Sequence, residues 1–196
     1  MPGTTLHPVA YSYYDATTPL KAGFLEEITV AGGTADERKI TCDYDAQGNL
    51  VTVVDPLGRT ASFEHDAVGR VIEKVLPDLQ TVELAYDQNG NLAQLLQPGR
   101  ASNAPADIHV LGHDSRDLLA SYTAPDIGLT SHQTLWAYNL DQQLDDTTRP
   151  DAQSIDFQYD ASSGQLQAIV TPDTTIVIAH FEDPASDGPN LGKLKT

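Results

Sequence analysis

Six histidines and one cysteine are the side chains of this 196-residue chain best placed to bind a metal or move a proton near neutral pH. His109 and His113 stand four apart, and on a strand an even separation puts two side chains on one face. Zinc takes three or four protein ligands, and no third ligand stands near this pair, so a metal site is not expected there. Asp43, Asp45, Gln47 and Asn49 alternate as in a calcium loop, with Gly48 at the sixth position. The bidentate Glu such a loop needs at its twelfth position is replaced by Val54, and a turn is the better reading. There is no G-x-S-x-G elbow, no H-E-x-x-H helix and no phosphate-cradling Gly loop. Twenty-eight Asp and Glu make paired carboxylates too common to signal glycosidase chemistry. The expectation is a non-enzyme without metal or cofactor.

Charge narrows the partners. Eleven basic residues against 28 acidic ones leave a formal charge of −17. Nucleic acid binding and anionic membrane surfaces both call for basic groups, and both are disfavoured. The acid reads as a solubilising surface that discourages edge-to-edge association of strands. Cys42 is the single cysteine, so no intrachain disulfide is possible. Residues Met1 to Thr5 lack the charged and apolar regions of a signal peptide, and the apolar runs fall short of a membrane span. A hydrophobic fraction of 40% suggests a thin core, as in a sheet or solenoid. Fourteen Gly, twelve Pro and eight Tyr favour turns and strands over helices.

The elements that would position these residues come from a repeat. Tyr44-Asp45-Ala46-Gln47-Gly48-Asn49-Leu50 recurs as His65-Asp66-Ala67-Val68-Gly69-Arg70-Val71 and as Tyr86-Asp87-Gln88-Asn89-Gly90-Asn91-Leu92. Looser copies start at His113, Tyr138 and Tyr159, the last with one extra residue in its turn. The anchors at 44, 65, 86, 113, 138 and 159 differ by 21, 21, 27, 25 and 21. Tyr14 reads as an earlier anchor and His180 as a degenerate later one, so 1–196 reads as one repeat domain with no linker. A proline turn lies midway in each period: Asp55-Pro56-Leu57-Gly58-Arg59, then Leu76-Pro77-Asp78, Gln97-Pro98-Gly99-Arg100, Ala124-Pro125-Asp126, Arg149-Pro150-Asp151 and Thr171-Pro172-Asp173. Short β-branched strands, such as Leu50 to Val54, Thr60 to His65 and Thr81 to Tyr86, join the turns. The predicted fold is all-β: an antiparallel β-meander of about 12–14 strands.

Each conspicuous residue has a structural role in this scheme. Asp45, Asp66, Asp87 and Asp160 can accept turn amides, and Gly48, Gly69 and Gly90 can supply positive φ. Tyr44, Tyr86, Tyr138 and Tyr159 are expected to stack on their equivalents one repeat away, with His65 and His113 standing in for Tyr. Arg59, Arg70 and Arg100 each follow a turn Gly and are expected to bridge to neighbouring acidic turns. Tyr122, Trp136 and Tyr138 are the candidates for stacking on a sugar if the sheet binds glycans.

The Tyr44–Leu50 segment followed by Asp55–Arg59 resembles the YD repeat of the RHS (rearrangement hotspot) family. By repeat register the likeness covers about residues 14–180, and it is strongest over 44–100. The resemblance implies a β-sheet that curves or spirals into a hollow shell. Such shells commonly enclose a C-terminal toxin domain in bacteria, and related ones occur in insecticidal toxin complexes and teneurins. It further implies a scaffold whose partners are more YD repeats, or a toxin or effector domain, of a larger polypeptide. Secretion or cell-surface display is implied as well, with glycan or protein binding as the alternative function. There are too few repeats here to close a shell, and the segment that ends the family's shell is not found. The chain therefore reads as a fragment, a truncated product or a short free-standing member.

Overall fold

In the computed structural model, residues 8–99, 107–126 and 132–178 are described. Fifteen strands lie among them, one more than the upper end of the sequence expectation. The excess sits before Tyr44. There the sequence shows only a long insertion, but the chain forms the hairpin of β2 (Leu25–Val30) and β3 (Arg38–Tyr44) after β1 (Val9–Tyr13). The expected anchor at His180 and the turn residue Arg100 lie outside the described residues.

The chain divides into two compact units. The first holds β1–β3, β4 (Leu50–Val54), β5 (Thr60–His65), β6 (Val71–Val75) and β7 (Thr81–Tyr86). The second holds β9 (Asp107–His113, apart from its first residue), β10 (Leu119–Thr123), β11 (Gln133–Tyr138), β12 (Leu144–Thr148), β13 (Ser154–Tyr159), β14 (Leu166–Val170) and β15 (Thr175–Val177). β8 (Leu92–Gln97) contributes residues to both. Within each unit, neighbours in the sheet are neighbours in the chain, and every assigned pair is antiparallel. Most connections within each unit are four to seven residues long, too short for anything but a hairpin.

Register divides the residues of each unit between two faces. In the first unit Tyr11 pairs with Ile28 and Ile28 with Ile40. Cys42 pairs with Val53 and Val53 with Ala61, while Phe63 pairs with Lys74 and Lys74 with Val82. These rows share one largely apolar face. The other face carries Ser12, Glu27 and Thr41 in one row, Asp43, Thr52 and Ser62 in a second, and Glu64, Glu73 and Glu83 in a third. The second unit repeats the division, with Trp136, Thr147 and Ile155, then Phe157, Ile169 and Ile176, on its apolar side.

The sheet has almost no interior. Among the described residues only Ala31 (1% exposed), Pro125 and Ala168 (7%) are buried. Most of its side chains are half-covered by strand neighbours, because alternating strands bury one face fully only against a second layer.

Candidate functional site

The residues singled out by the repeat gather at the connecting loops. In eight loops the same two backbone bonds close the turn: the first residue's N–H donates to the carbonyl of the fifth, and the fourth donates back to the first. They begin at Asp45, Asp55, Asp66, Leu76, Asp87, Asp114, Asn139 and Arg149, with N–O distances of 2.7–3.2 Å. The tyrosine-anchored turns and the proline turns at Asp55, Leu76 and Arg149, distinct in sequence, are therefore one loop used at alternating ends of the strands, while the proline turn at Thr171 closes on Thr174 instead. In Asp160–Gln165 the loop is one residue longer.

The fourth position explains the glycines. Gly48, Gly58, Gly69 and Gly90 have φ between 74° and 96°, left-handed values at which a Cβ is costly. The sequence gives no sign that four loops adopt this conformation without glycine: Leu79 (φ 65°), Asp117 (62°), Gln142 (63°) and Ala152 (62°).

The first position explains the aspartates. Asp45 Oδ1 accepts the amides of Gln47 (2.9 Å) and Asn49 (2.8 Å), and Asp66 Oδ1 those of Val68 and Arg70. Asp55, Asp87 and Asp114 repeat the arrangement, and Asn139 imitates it. The fifth residue then clasps the free carboxylate oxygen: Asn49 Nδ2 on Asp45, Arg59 Nε on Asp55, Arg70 Nε on Asp66. Arg59 and Arg70 thus bind the Asp of their own loop and not a neighbouring acidic turn as expected. The reason is reach: closing the loop brings the first and fifth residues together. The Asn49 bond and the turn amides hold the Asp45 carboxyl below its usual range, and the Arg59 guanidinium does the same for Asp55. Asp160, bonded by Ser162 and Ser163 through hydroxyls and amides, is lowered to about 2.

The anchor rings mostly do something other than stack. Tyr86, Tyr138 and Tyr159 each donate their hydroxyl to the neighbouring strand, to the carbonyls of Val71 (2.9 Å), Leu119 (2.9 Å) and Leu144 (2.8 Å). Each bond ties together the ends of two strands whose hairpin loop lies at the opposite end. At five of the anchors, Tyr44, His65, His113, Tyr138 and Tyr159, the register slips by one residue at the ring. That bulge turns the ring toward the adjacent strand. Ring-on-ring contact of two anchors occurs at Tyr14 and Tyr44, edge to face at 6.4 Å. Phe24, which has no place in the repeat pattern, stacks on Tyr44 at 4.9 Å.

Successive loops at this end touch. Asn89 and Asn91 both donate to Asp117, Arg116 to the Asn139 carbonyl, and Gln143 to the Gly164 carbonyl. Loops 45–49 and 66–70 flank an open cleft of about 810 Å³ lined by Asp45, Asn49, Phe63 and His65.

The two histidines raised as a metal pair are separated by the strand that carries them, about 13 Å for four residues. His109 stacks on Tyr122, its Nδ1 2.7 Å from the hydroxyl, and His113 Nδ1 lies 3.9 Å from Asp87. No cluster of three or more His, Cys, Asp or Glu suited to a metal occurs among the described residues. Of the sugar-stacking candidates, Tyr122 pairs with Thr134, two residues from Trp136 on the same face. The Tyr138 hydroxyl is already engaged by Leu119.

Residues 44–81 match the RHS Repeat family. The match covers 38 of the 196 residues. The matched RHS segment contains four of the eight equivalent loops, from Asp45 to Gln80. No curated protein matches the chain. Among solved structures, a TcdB2–TccC3 complex lacking its hypervariable C-terminal region superposes with a TM-score of 0.67 at 14% identity, over 98% of this chain and 12% of that one. The Photorhabdus luminescens Tc holotoxin pore, with a substituted TccC3, gives 0.52 at 14% identity, over 91% of this chain and 11% of that one. The likeness is one of fold: a sheet of antiparallel hairpins. The chain spans about one-eighth of the length of these structures. No helix among the described residues is long and apolar enough to cross a membrane.

Proposed function

We propose that this chain is a non-catalytic structural segment of an RHS-repeat sheet, completed by further repeats and serving to enclose or present a toxin or effector domain. One observation carries the reading. The strands form well-bonded hairpins, yet among the described residues nothing is buried beyond two alanines and a proline. A sheet that leaves an entire apolar face uncovered is built to be covered by something else. The loops absorb the conspicuous Asp, Arg and Tyr side chains in their own hydrogen bonds, which supports scaffold over catalyst. The repeat register from Tyr14 to His180 is read as one array. Kinship of fold with Tc toxin complexes supports a place outside the cell, secreted or on its surface.

An immunoblot of the source organism with antibody to residues 44–99, combined with protease treatment of the native material, tests this. The expected result is a polypeptide or stable complex much larger than 21.1 kDa that contains a segment resistant to protease until the sheet is denatured. A free 21.1 kDa species with no larger partner would remove the shell reading.

A further inference from the structure

We infer that Asn89 is a site of spontaneous covalent change: its side-chain amide cyclises onto the Gly90 nitrogen, and the carboxylate that results breaks the tie between loops 87–91 and 114–118.

The chemistry belongs to the residue pair. The deprotonated Gly90 nitrogen attacks Asn89 Cγ and forms the new N–C bond of a cyclic imide. The Cγ–Nδ2 bond breaks, and the amide nitrogen leaves as ammonia, carrying the proton that Gly90 gave up. Water then opens the imide at either carbonyl. One opening leaves aspartate; the other moves the main chain onto the side-chain carbon and leaves isoaspartate. Water is the only co-reactant. Glycine favours the attack because no Cβ crowds the nucleophile, and asparagine is among the thermolabile side chains. Asn89-Gly90 is the one Asn-Gly pair in the 196 residues. Asn49, Asn91 and Asn139, the other loop asparagines, are each followed by leucine.

The fold slows the reaction without closing it off. Asn89 is exposed at the third position of its loop. Its own N–H donates to Asp87 Oδ1 (2.9 Å), the Gly90 N–H donates to the Asp87 carbonyl (3.1 Å), and Asn89 Nδ2 donates to Asp117 Oδ1 (2.8 Å). The second of these bonds occupies the attacking nitrogen, so ring closure waits on opening of the loop. Exposed loops open locally at a small fraction of the cost of global unfolding. The native chain should therefore react more slowly than the unfolded chain, and Asn89 before the other loop asparagines.

The consequence is read at Asp117. Its Oδ1 accepts from both Asn89 Nδ2 and Asn91 Nδ2, each at 2.8 Å. After the change, a carboxylate at position 89 faces that oxygen. A donor has become an acceptor, and a charge-assisted hydrogen bond has become a contact between like charges. The isoaspartyl product also lengthens the backbone by one carbon, which misplaces the Gly90 N–H that closes the turn on Asp87. Either product loosens both loops. The released ammonia makes the step one-way, so it marks the age of the chain.

The test is incubation of the full chain at mildly alkaline pH, native and in urea, with peptide mass mapping over time. Expected in the native chain is the mass gain of an amide-to-acid change at residue 89, with isoaspartate among the products, before any gain at Asn49, Asn91 or Asn139. In urea the same change should come sooner. Asn89→Asp copies the aspartyl product, and amide exchange in loops 87–91 and 114–118 should rise by about fivefold or more. Adding Asp117→Asn should return exchange toward the wild-type rate, because an amide at 117 can donate to the new carboxylate. An Asn89 left intact in the native chain while the denatured chain is fully converted overturns the proposal. So does an Asn89→Asp chain whose two loops exchange as the wild type does.

Discussion

At the scale of single residues, five of the eight loops are held by a carboxylate at the first position, and all eight have a left-handed residue at the fourth. Where glycine is missing, the strain remains. Leu79 and Ala152 sit at φ 65° and 62°, a conformation that costs about 1 kcal/mol for a residue with a Cβ. Leu79→Gly and Ala152→Gly should each raise stability by a few tenths to about 1 kcal/mol in urea titrations. Gly48→Ala should destabilise, since its Cβ would meet the Phe24 ring at 2.9 Å in a backbone at φ 90°. The hydroxyl ties predict that Tyr86→Phe and Tyr159→Phe each lose about 0.5–1.5 kcal/mol, read from the same titrations.

The carboxylates also set the response to acid. Asp45, Asp55, Asp66 and Asp160 are depressed below ordinary values. Their contribution is present above about pH 4, the unfolded range, and disappears as pH falls through the folded values, which for Asp160 means about 2. Asp156 runs the other way. It faces Asp146 across β12 and β13, and that carboxyl raises it, helped by desolvation and by Asp145. A raised carboxyl contributes stability below its unfolded value, and this is lost as pH rises through the folded one. Thermal melts should therefore improve slightly as pH falls through the raised Asp156 value toward about 4, then decline below it as the lowered carboxylates protonate. Asp156→Asn should abolish the rise and leave the decline.

At the scale of elements, strand-and-loop units of 10 or 11 residues are the building unit, and the 21-residue spacing in the sequence is a pair of them. The pairing is not optimised for charge. Glu64, Glu73 and Glu83 lie in direct register on three adjacent strands, where like charges oppose the sheet. Glu73→Lys faces an opposite charge on both sides and should gain about 0.5–1 kcal/mol at low salt, with the gain shrinking as salt is added. Strand ends such as Leu50 to Val54 and Thr60 to His65 were legible because turn residues bracket β-branched runs. The β2–β3 hairpin was not, because its Ala31–Glu37 connection carries neither the Tyr-Asp nor the Pro signal. Phe24 was missed for the same reason: its stacking on Tyr44 is a contact between distant residues, with no local pattern to announce it.

At the scale of the whole molecule, the exposed apolar faces should bind a hydrophobic dye in the native state at neutral pH, and covering partners should displace it. A native chain that binds no dye would mean that those faces are closed by a route other than assembly. The sequence by itself determined the strand class, the antiparallel order and the six Tyr/His anchors. Alternation of period two, glycines at positive φ and aspartates beside turn amides are local, and local chemistry leaves its mark in residue type and spacing. Only the tertiary structure decided that both kinds of turn are one loop, that Arg59 and Arg70 serve their own aspartates, and that anchor tyrosines bond a neighbouring carbonyl. Those outcomes depend on which strands lie side by side and on the parity of their hydrogen bonds. Register between strands sets both, and no single strand encodes it.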